Sequence, residues 1–178
     1  MEKGIKPVRE NKMDNRNIDH VCTFTGHRPE RLNLPEADVI AWLNEQIVQA
    51  INDGYTDFIT GMQRGVDLWA AEAVLKLKKE GKPLRLIAAC AFRGMENLWE
   101  TGWQKRYRTI LTAADEVHYI GDRPGRQAFF ARNHWMVDWA SRLIAVYTGA
   151  PGGTKETVEY AKSKHRRIVM LSAQNEAK

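Results

Sequence analysis

Apolar residues occur along the chain in short runs that alternate with stretches of helical periodicity. The runs are bounded by glycine, proline or charged residues, which is typical of strands buried on both faces of a sheet. They predict six strands, at residues 20–25, 57–60, 84–90, 116–120, 142–147 and 167–171. Between them, apolar residues recur three or four positions apart, as on one face of a helix. These stretches predict five helices, at residues 35–52, 66–79, 98–113, 127–140 and 154–164.

The regular alternation of strands and helices, joined by short connections, determines the predicted fold class. It favours an α/β fold with one doubly wound, mostly parallel sheet and helices on both faces. A length of 178 residues is enough for one domain with a sizeable core. We therefore expect a flexible N-terminal tail at residues 1–19, a single domain at 20–172 and a frayed C-terminus at 173–178.

The chain is basic, with a net charge of +5 and a pI of about 9.3. Part of the excess lies in the first 17 residues, and the remainder is only mildly basic. This charge keeps a nucleic-acid partner open, although the basic residues are scattered. The tail lacks the apolar segment of a signal peptide, and no apolar run reaches the roughly 20 residues of a membrane span. We expect a cytoplasmic protein with no membrane partner.

Cysteine and histidine spacing argues against a disulfide framework or a metal site. Cys22 and Cys90 each lie in a predicted core strand and have no CxxC spacing. We expect both to be buried free thiols. The five histidines have no spacing typical of metal ligands, so no metal is predicted.

Glycine and arginine gather in the segments that follow the predicted strands. The carboxyl ends of parallel strands share one edge of the sheet, where ligands bind. Arginine forks match phosphate, and glycine lets a ligand approach the backbone. The candidate ligand-binding residues are Gly26, His27 and Arg28 after strand one, Gly61, Arg64, Gly65 and Asp67 after strand two, Arg93 after strand three, and Gly152, Gly153 and Thr154 after strand five. Each arginine alone is better explained as a solvated surface charge, but the set predicts a site for an anionic, phosphorylated small ligand.

Two of these residues leave more than one role open. His27 is a candidate acid–base group or phosphate donor, because its ordinary pKa is near neutrality, and equally a residue that orders its loop. Asp67 is placed to accept hydrogen bonds from ribose hydroxyls, but it also suits the positive end of the helix dipole.

Aromatic residues are concentrated in two of the predicted helices. Trp99 and Trp103 are spaced to stack a base or, more commonly, to fill a core. Trp135 and Trp139 make the fourth helix apolar on most sides, which indicates deep burial or a partner surface. We expect a homodimer or higher homo-oligomer that uses this helix.

The segments that carry these residues resemble the SLOG superfamily, and specifically its YpsA-like branch. The matching motifs are Thr-Phe-Thr-Gly-His-Arg-Pro at 23–29, Thr-Gly-Met-Gln-Arg-Gly-Val-Asp at 60–67, Arg132-Asn133, and Pro-Gly-Gly-Thr at 151–154. The resemblance implies a bacterial or phage protein with a Rossmann-like fold that binds nucleotides or nucleotide-derived ligands. It implies no required cofactor, and it adds Asn133 to the ligand-binding set.

The same superfamily includes phosphoribohydrolases that cleave the N-glycosidic bond of nucleoside monophosphates. Their signature pairs an arginine in the helix before the last core strand with a glutamate after a Pro-Gly-Gly-x-Gly-Thr loop. Arg132 and Glu156 are similar in placement and would be the catalytic residues of an enzyme of this type. The loop here lacks the x-Gly insertion and is shorter, so the position of Glu156 is in question.

The sequence therefore predicts a binding module for an ADP-ribose, NAD-derived or nucleoside-phosphate ligand, acting as a sensor or sequestering protein. The first alternative is a nucleoside 5′-monophosphate phosphoribohydrolase that uses Arg132 and Glu156. The second is a single-stranded nucleic-acid binder, because of the high pI and the basic stretches at the N-terminus and at residues 162–167; the superfamily also contains a DNA-uptake protein that binds single strands.

Overall fold

A computed structural model describes residues 17–172, and the predictions for 1–16 and 173–178 fall outside this range. Six strands form one sheet: β1 Val21–Gly26, β2 Asp57–Thr60, β3 Arg85–Cys90, β4 Glu116–Tyr119, β5 Arg142–Tyr147 and β6 Arg167–Ser172. Five α-helices join them: α1 Glu36–Asn52, α2 Val66–Lys79, α3 Thr101–Ala113, α4 Arg126–Asp138 and α5 Gly153–Ser163. Ile18–His20, of which the first two residues belong to the segment 1–19 predicted as a flexible tail, form a 3-10 turn capped by the Asn17 side chain.

All neighbouring strands are parallel, in the order β4-β3-β2-β1-β5-β6. The strand order reverses between β1 and β5, so the connections that follow these two strands diverge. The predicted Rossmann-like α/β fold is therefore confirmed, and the sheet is parallel throughout.

The core lies on both faces of the sheet. Helices α1, α2 and α3 pack on one face around Phe24, Phe58 and Leu86. Helices α4 and α5 cover the other face, where Met136 and Val158 are buried. Cys22 and Cys90 are free thiols with no exposed surface, as predicted, and burial raises the pKa of Cys90 to about 11. No helix within residues 17–172 is both long and apolar enough to cross a membrane.

Helix α3 begins three residues later than its periodicity indicates. The segment before it forms turns, with Asn97 N bonded to Gly94 O and Trp99 N to Glu96 O, both at 3.0 Å. The Gln104 side chain donates to the carbonyls of Glu96 and Asn97, at 3.1 and 3.0 Å. These hydrogen bonds satisfy backbone groups of the segment without helix formation, and Leu98 is 99% exposed.

The tryptophans lie mainly within the fold. Trp99 and Trp103 pack against the core, and the rings of Trp69 and Trp103 are 6.1 Å apart. Trp135 and Trp139 are half-buried against the α4 side of the sheet, with Trp135 5.0 Å from the His118 ring. Much of the apolar surface of α4 is thus used inside the chain, and the homo-oligomer stays a prediction.

Gly26 at the end of β1 allows α2 to start directly against the strand. A Cβ at this position would lie 2.6 Å from Val66 Cβ, inside any real contact distance. We expect Gly26→Ala to lower the free energy of unfolding by about 1–3 kcal/mol through overpacking. Urea unfolding would measure this loss, and Val66→Ala in the same chain should recover part of it.

The matched control is Gly102→Ala in α3, where a Cβ would meet nothing within 4 Å. It should leave stability unchanged or raise it by up to about 1 kcal/mol, as alanine is the better helix former. An equal loss in both variants would contradict the packing role of Gly26.

Candidate functional site

A cavity of about 400 Å³ opens at the carboxyl edge of the sheet, where the strand order reverses between β1 and β5. This reversal point is the usual ligand site of doubly wound sheets, because the loops diverge there and leave a crevice. Four segments line the cavity: the end of β1 and the loop after it, the β2–α2 connection, the first three turns of α4, and the β5–α5 loop.

Most of the residues predicted from the strand ends meet in this cavity. Those in its lining are Gly26, His27, Arg28, Asp67, Arg132, Asn133, Gly152, Gly153 and Thr154. The other predicted residues, which are Gly61, Arg64, Gly65, Arg93 and Glu156, are not part of the lining. The parallel topology thus brings the loops together as predicted, but not every predicted side chain in those loops enters the cavity.

Asp67 and Arg132 form a buried, oppositely charged pair at the base of the cavity. Asp67 is 7% exposed and Arg132 is 5% exposed. Burial raises the pKa of Asp67 to about 6, although the charge of Arg132 and a 3.2 Å hydrogen bond from Gln63 N oppose the shift. Burial also lowers the pKa of Arg132, and the Asp67 carboxylate opposes that change. Arginine stays charged, so this pair brings a fixed cation and a carboxyl group that titrates near pH 6.

Gly61 makes room for this pair without lining the cavity. A Cβ on Gly61 would lie 2.7 Å from Asp67 Oδ2 and 3.2 Å from Arg132 Cζ. The guanidinium of Arg132 also donates to the Gly61 carbonyl and, at 2.9 Å, to Asn133 Oδ1. The glycine predicted to admit a ligand instead admits two protein side chains.

His27 joins the two loops that meet at the reversal point. It is 3% exposed, and its Nε2 lies 2.9 Å from Thr148 Oγ1, at the end of β5. Burial lowers the pKa of His27, and the charge of Arg31 lowers it further. The imidazole is therefore neutral at physiological pH and orders both loops at the edge of the cavity.

Two arginines connect the loop after β1 to neighbouring segments of the site. Arg31, which lines the cavity, donates to the carbonyl of Pro151 at 3.0 Å. Arg64 donates to Glu30 at 2.9 Å and so connects this loop to the β2–α2 connection. Arg64 therefore neutralises a cavity carboxylate from outside the lining, while Arg31 brings positive charge next to the β5–α5 loop.

Arg93 and Glu156 are engaged elsewhere in the structure. The Arg93 guanidinium stacks 3.9 Å from the centre of the Tyr119 ring. Glu156 binds His134 of α4, and the His134 ring stacks on Tyr160 at 3.8 Å. The carboxylate predicted to face a ribose thus contacts the neighbouring helix α4 and is not part of the lining.

The start of α5 presents backbone amides to the cavity. The first intrahelical bond of α5 runs from Glu156 N to Gly152 O at 3.1 Å. The amides of residues 153–155 consequently have no acceptor within the helix, and the cap residue Gly152 supplies none from a side chain. Amides of this kind attract anions.

Sequence reasoning missed one wall of the cavity, which is the first turn of α4. Arg126, Phe129 and Phe130 line it, three and four positions apart on one face of the helix. The preceding motif Gly-Asp-Arg-Pro-Gly ends at Gly125, the N-cap of this helix, and is the signal that places its first turn at the carboxyl edge. Arg31 was missed as well, because only the structure brings it across to Pro151.

Within residues 17–172, no group of three or more His, Cys, Asp or Glu side chains is placed to hold a metal ion.

The cavity lining carries more positive than negative side chains. Among its 18 residues, the four arginines outnumber the two carboxylates: Arg28, Arg31, Arg126 and Arg132 against Glu30 and Asp67. The cavity is therefore positively charged and suited to an anionic organic ligand.

Comparison with protein families gives one match over most of the chain. The YpsA model, described as the YspA SLOG family, matches residues 22–174. UPF0398 protein BH1768 of Halalkalibacterium halodurans is 30% identical over 156 residues, which are 83% of this chain and 82% of the relative. A UPF0398 protein of Bacillus cereus is 31% identical over 153 residues, covering 81% and 83% of the two chains. The family resemblance read from the motifs is confirmed.

Two solved structures share the fold at low sequence identity. DNA processing protein A of Streptococcus pneumoniae has a TM-score of 0.61 and 17% identity, over 85% of this chain and 50% of that protein. DNA processing protein A of Helicobacter pylori, whose structure is described for its single-stranded DNA binding mode, has a TM-score of 0.62 and 15% identity, over 89% and 67%. This chain thus spans half to two thirds of the length of these proteins.

Proposed function

The chain belongs to the YspA SLOG family, and we propose that it binds a phosphorylated, nucleotide-type ligand in the cavity between β1 and β5. The observation that carries the proposal is the excess of arginines over carboxylates in one cavity that also receives the amide end of α5. Glu30 is further compensated by Arg64, and Asp67 by Arg132. The charge left for a ligand is that of Arg28, Arg31 and Arg126.

The size and position of the cavity favour a ligand of nucleotide dimensions. Small-molecule sites enclose roughly 300–1,000 Å³, and this cavity of about 400 Å³ is at the lower end of that range. A sensor or sequestering role is consistent with these features, since they require only binding. Two buried free thiols agree with the cytoplasm, where such ligands are present.

A nucleotide hydrolase has less support than a binding module. The Glu156 carboxylate is bonded to His134 and is not among the residues that line the cavity, so it is not placed to stabilise charge on a ribose bound there. The pair of Arg132 and Glu156 therefore stays a prediction, and the proposal does not depend on it.

We expect binding to be measurable by calorimetry with AMP, GMP, ADP-ribose and NAD, and by a rise in thermal stability. A ligand at about 100 times its dissociation constant adds about 2.7 kcal/mol to the free energy of unfolding. Arg31→Gln should weaken the affinity at least about tenfold, since it removes a charge next to the α5 amides. No binding of any of these ligands by the wild-type chain would overturn the proposal.

The matched control is Lys79→Gln, which removes one exposed positive charge at the last residue of α2, at the opposite end of that helix from the cavity. It should leave the affinity within about twofold of wild type. An equal loss in both variants would indicate a general charge effect rather than a site at Arg31.

The second candidate function is binding of single-stranded nucleic acid, and the likeness to the Helicobacter pylori protein favours it. Affinity for an oligonucleotide would then exceed that for a mononucleotide by far. It would also fall steeply with salt, because each phosphate contact releases counterions. Equal affinity for the two ligands would assign the cavity to a single nucleotide unit.

A further inference from the structure

The two walls of the cavity differ in chemistry. The loops after β1 and β5 contribute arginines and the amides at the start of α5. The first turn of α4 contributes two phenylalanine rings, Phe129 and Phe130. A ligand that uses both walls must have an anionic end and a flat apolar part.

The two rings are held differently. Phe129 packs edge-on against Phe92 at 5.5 Å, and the buried Arg132 guanidinium lies 5.5 Å from its centre. These contacts fix the Phe129 ring in the floor of the cavity. Phe130 is half-buried, and the group over its face is the guanidinium of Arg126, 5.0 Å from the ring centre.

Arg126 is the first residue of α4, and its side chain is exposed. An exposed arginine over an aromatic face contributes only about 0.5–1 kcal/mol, so a ligand can displace it. An aromatic base stacked on such a ring contributes more, since each stacked base is worth about 1–3 kcal/mol. The face of Phe130 is consequently available to a planar group at little cost.

From this placement we propose that the base of the ligand stacks on Phe130, while its phosphate lies between Arg31 and the start of α5. The inference rests on the proposed function and makes it more specific. The ligand class becomes a nucleoside phosphate whose base contributes to affinity, in contrast to a sugar phosphate or a free phosphate. When the base is bound, Arg126 can turn onto its other face.

The test is calorimetric titration of wild type, Phe130→Leu and Phe130→Tyr with AMP and with ribose 5-phosphate, which has the same anionic end but no base. Wild type should bind AMP at least about tenfold more tightly than ribose 5-phosphate. Phe130→Leu should lose about tenfold in AMP affinity and stay within about twofold for ribose 5-phosphate, whereas Phe130→Tyr should retain both affinities because it keeps the ring.

Equal affinity of wild type for the two ligands would overturn the stacking position, as would an equal loss of both in Phe130→Leu. Binding of neither ligand by wild type would also overturn the stacking position, and if GMP, ADP-ribose and NAD failed to bind as well, the proposed function itself would be overturned.

Discussion

Arg132→Met is expected to lower the free energy of unfolding by about 3–5 kcal/mol at pH 7.5. Arg132 is 5% exposed, and its guanidinium donates to the Gly61 carbonyl and to Asn133 Oδ1. Methionine fills much of the same space but leaves both acceptors without their donor. It also leaves the Asp67 carboxylate, 7% exposed, without the cation that opposes its burial.

Urea unfolding followed by circular dichroism would measure this loss. Arg123→Met is the matched control, because Arg123 is exposed and precedes α4. It should change stability by less than about 0.5 kcal/mol. Adding Asp67→Asn to Arg132→Met should restore part of the loss, since the unpaired buried charge is then removed. A loss below about 1 kcal/mol in Arg132→Met would mean that the pair contributes little to the fold.

The architecture was predictable because buried parallel strands have a strong sequence signal. The β5 run Leu-Ile-Ala-Val-Tyr and the strands like it are apolar on both faces, and Gly54 and Gly81 follow α1 and α2 within two residues of their ends. The start of α3 was not predictable, because side-chain bonds from Gln104 stabilise the turn before it. Local periodicity cannot indicate that a fully exposed Leu98 does not belong to the helix.

The position of the candidate site followed from topology, but its composition did not. Loops after parallel strands must meet at one edge, so glycine and arginine in those loops indicated where a ligand would lie. Which arginines enter the cavity depends on partners far along the chain. Arg64 is held by Glu30 and Arg93 by Tyr119, whereas Arg31 reaches Pro151. Such pairings have no signal in a single sequence.

The phenylalanine wall of the cavity, formed by α4, was also not predictable from a single sequence. The sequence predicted α4 as an apolar helix, and the structure divides its surface among three environments. Met136 and Val137 face the sheet, Trp135 and Trp139 cover its edge, and Phe129 and Phe130 line the cavity. The ring proposed to stack a base therefore lies among residues that periodicity alone assigns to a core or an oligomer contact.

Between pH 4 and pH 7.5, the wild type is expected to lose about 2–3 kcal/mol of unfolding free energy relative to Asp67→Asn. The pKa of Asp67 is about 6 in the folded chain, against an ordinary value of 3.8. Because the folded state holds this proton more tightly, its stabilising effect is complete below pH 3.8 and is lost as the pH rises through 6. Each unit of pKa difference corresponds to about 1.4 kcal/mol.

The measurement is a series of urea unfolding curves for both proteins across this pH range, and the result is the difference between them at each pH. All other carboxyl groups titrate in both proteins, so their contributions cancel in that difference. A difference that does not change with pH would show that Asp67 keeps an ordinary pKa and is solvated or more strongly paired with Arg132. A fall in that difference between about pH 4 and pH 6, with no further change at higher pH, would place a protonated carboxyl group at the base of the cavity in mildly acidic solution. Such a group is able to donate a hydrogen bond to a ligand phosphate instead of repelling it.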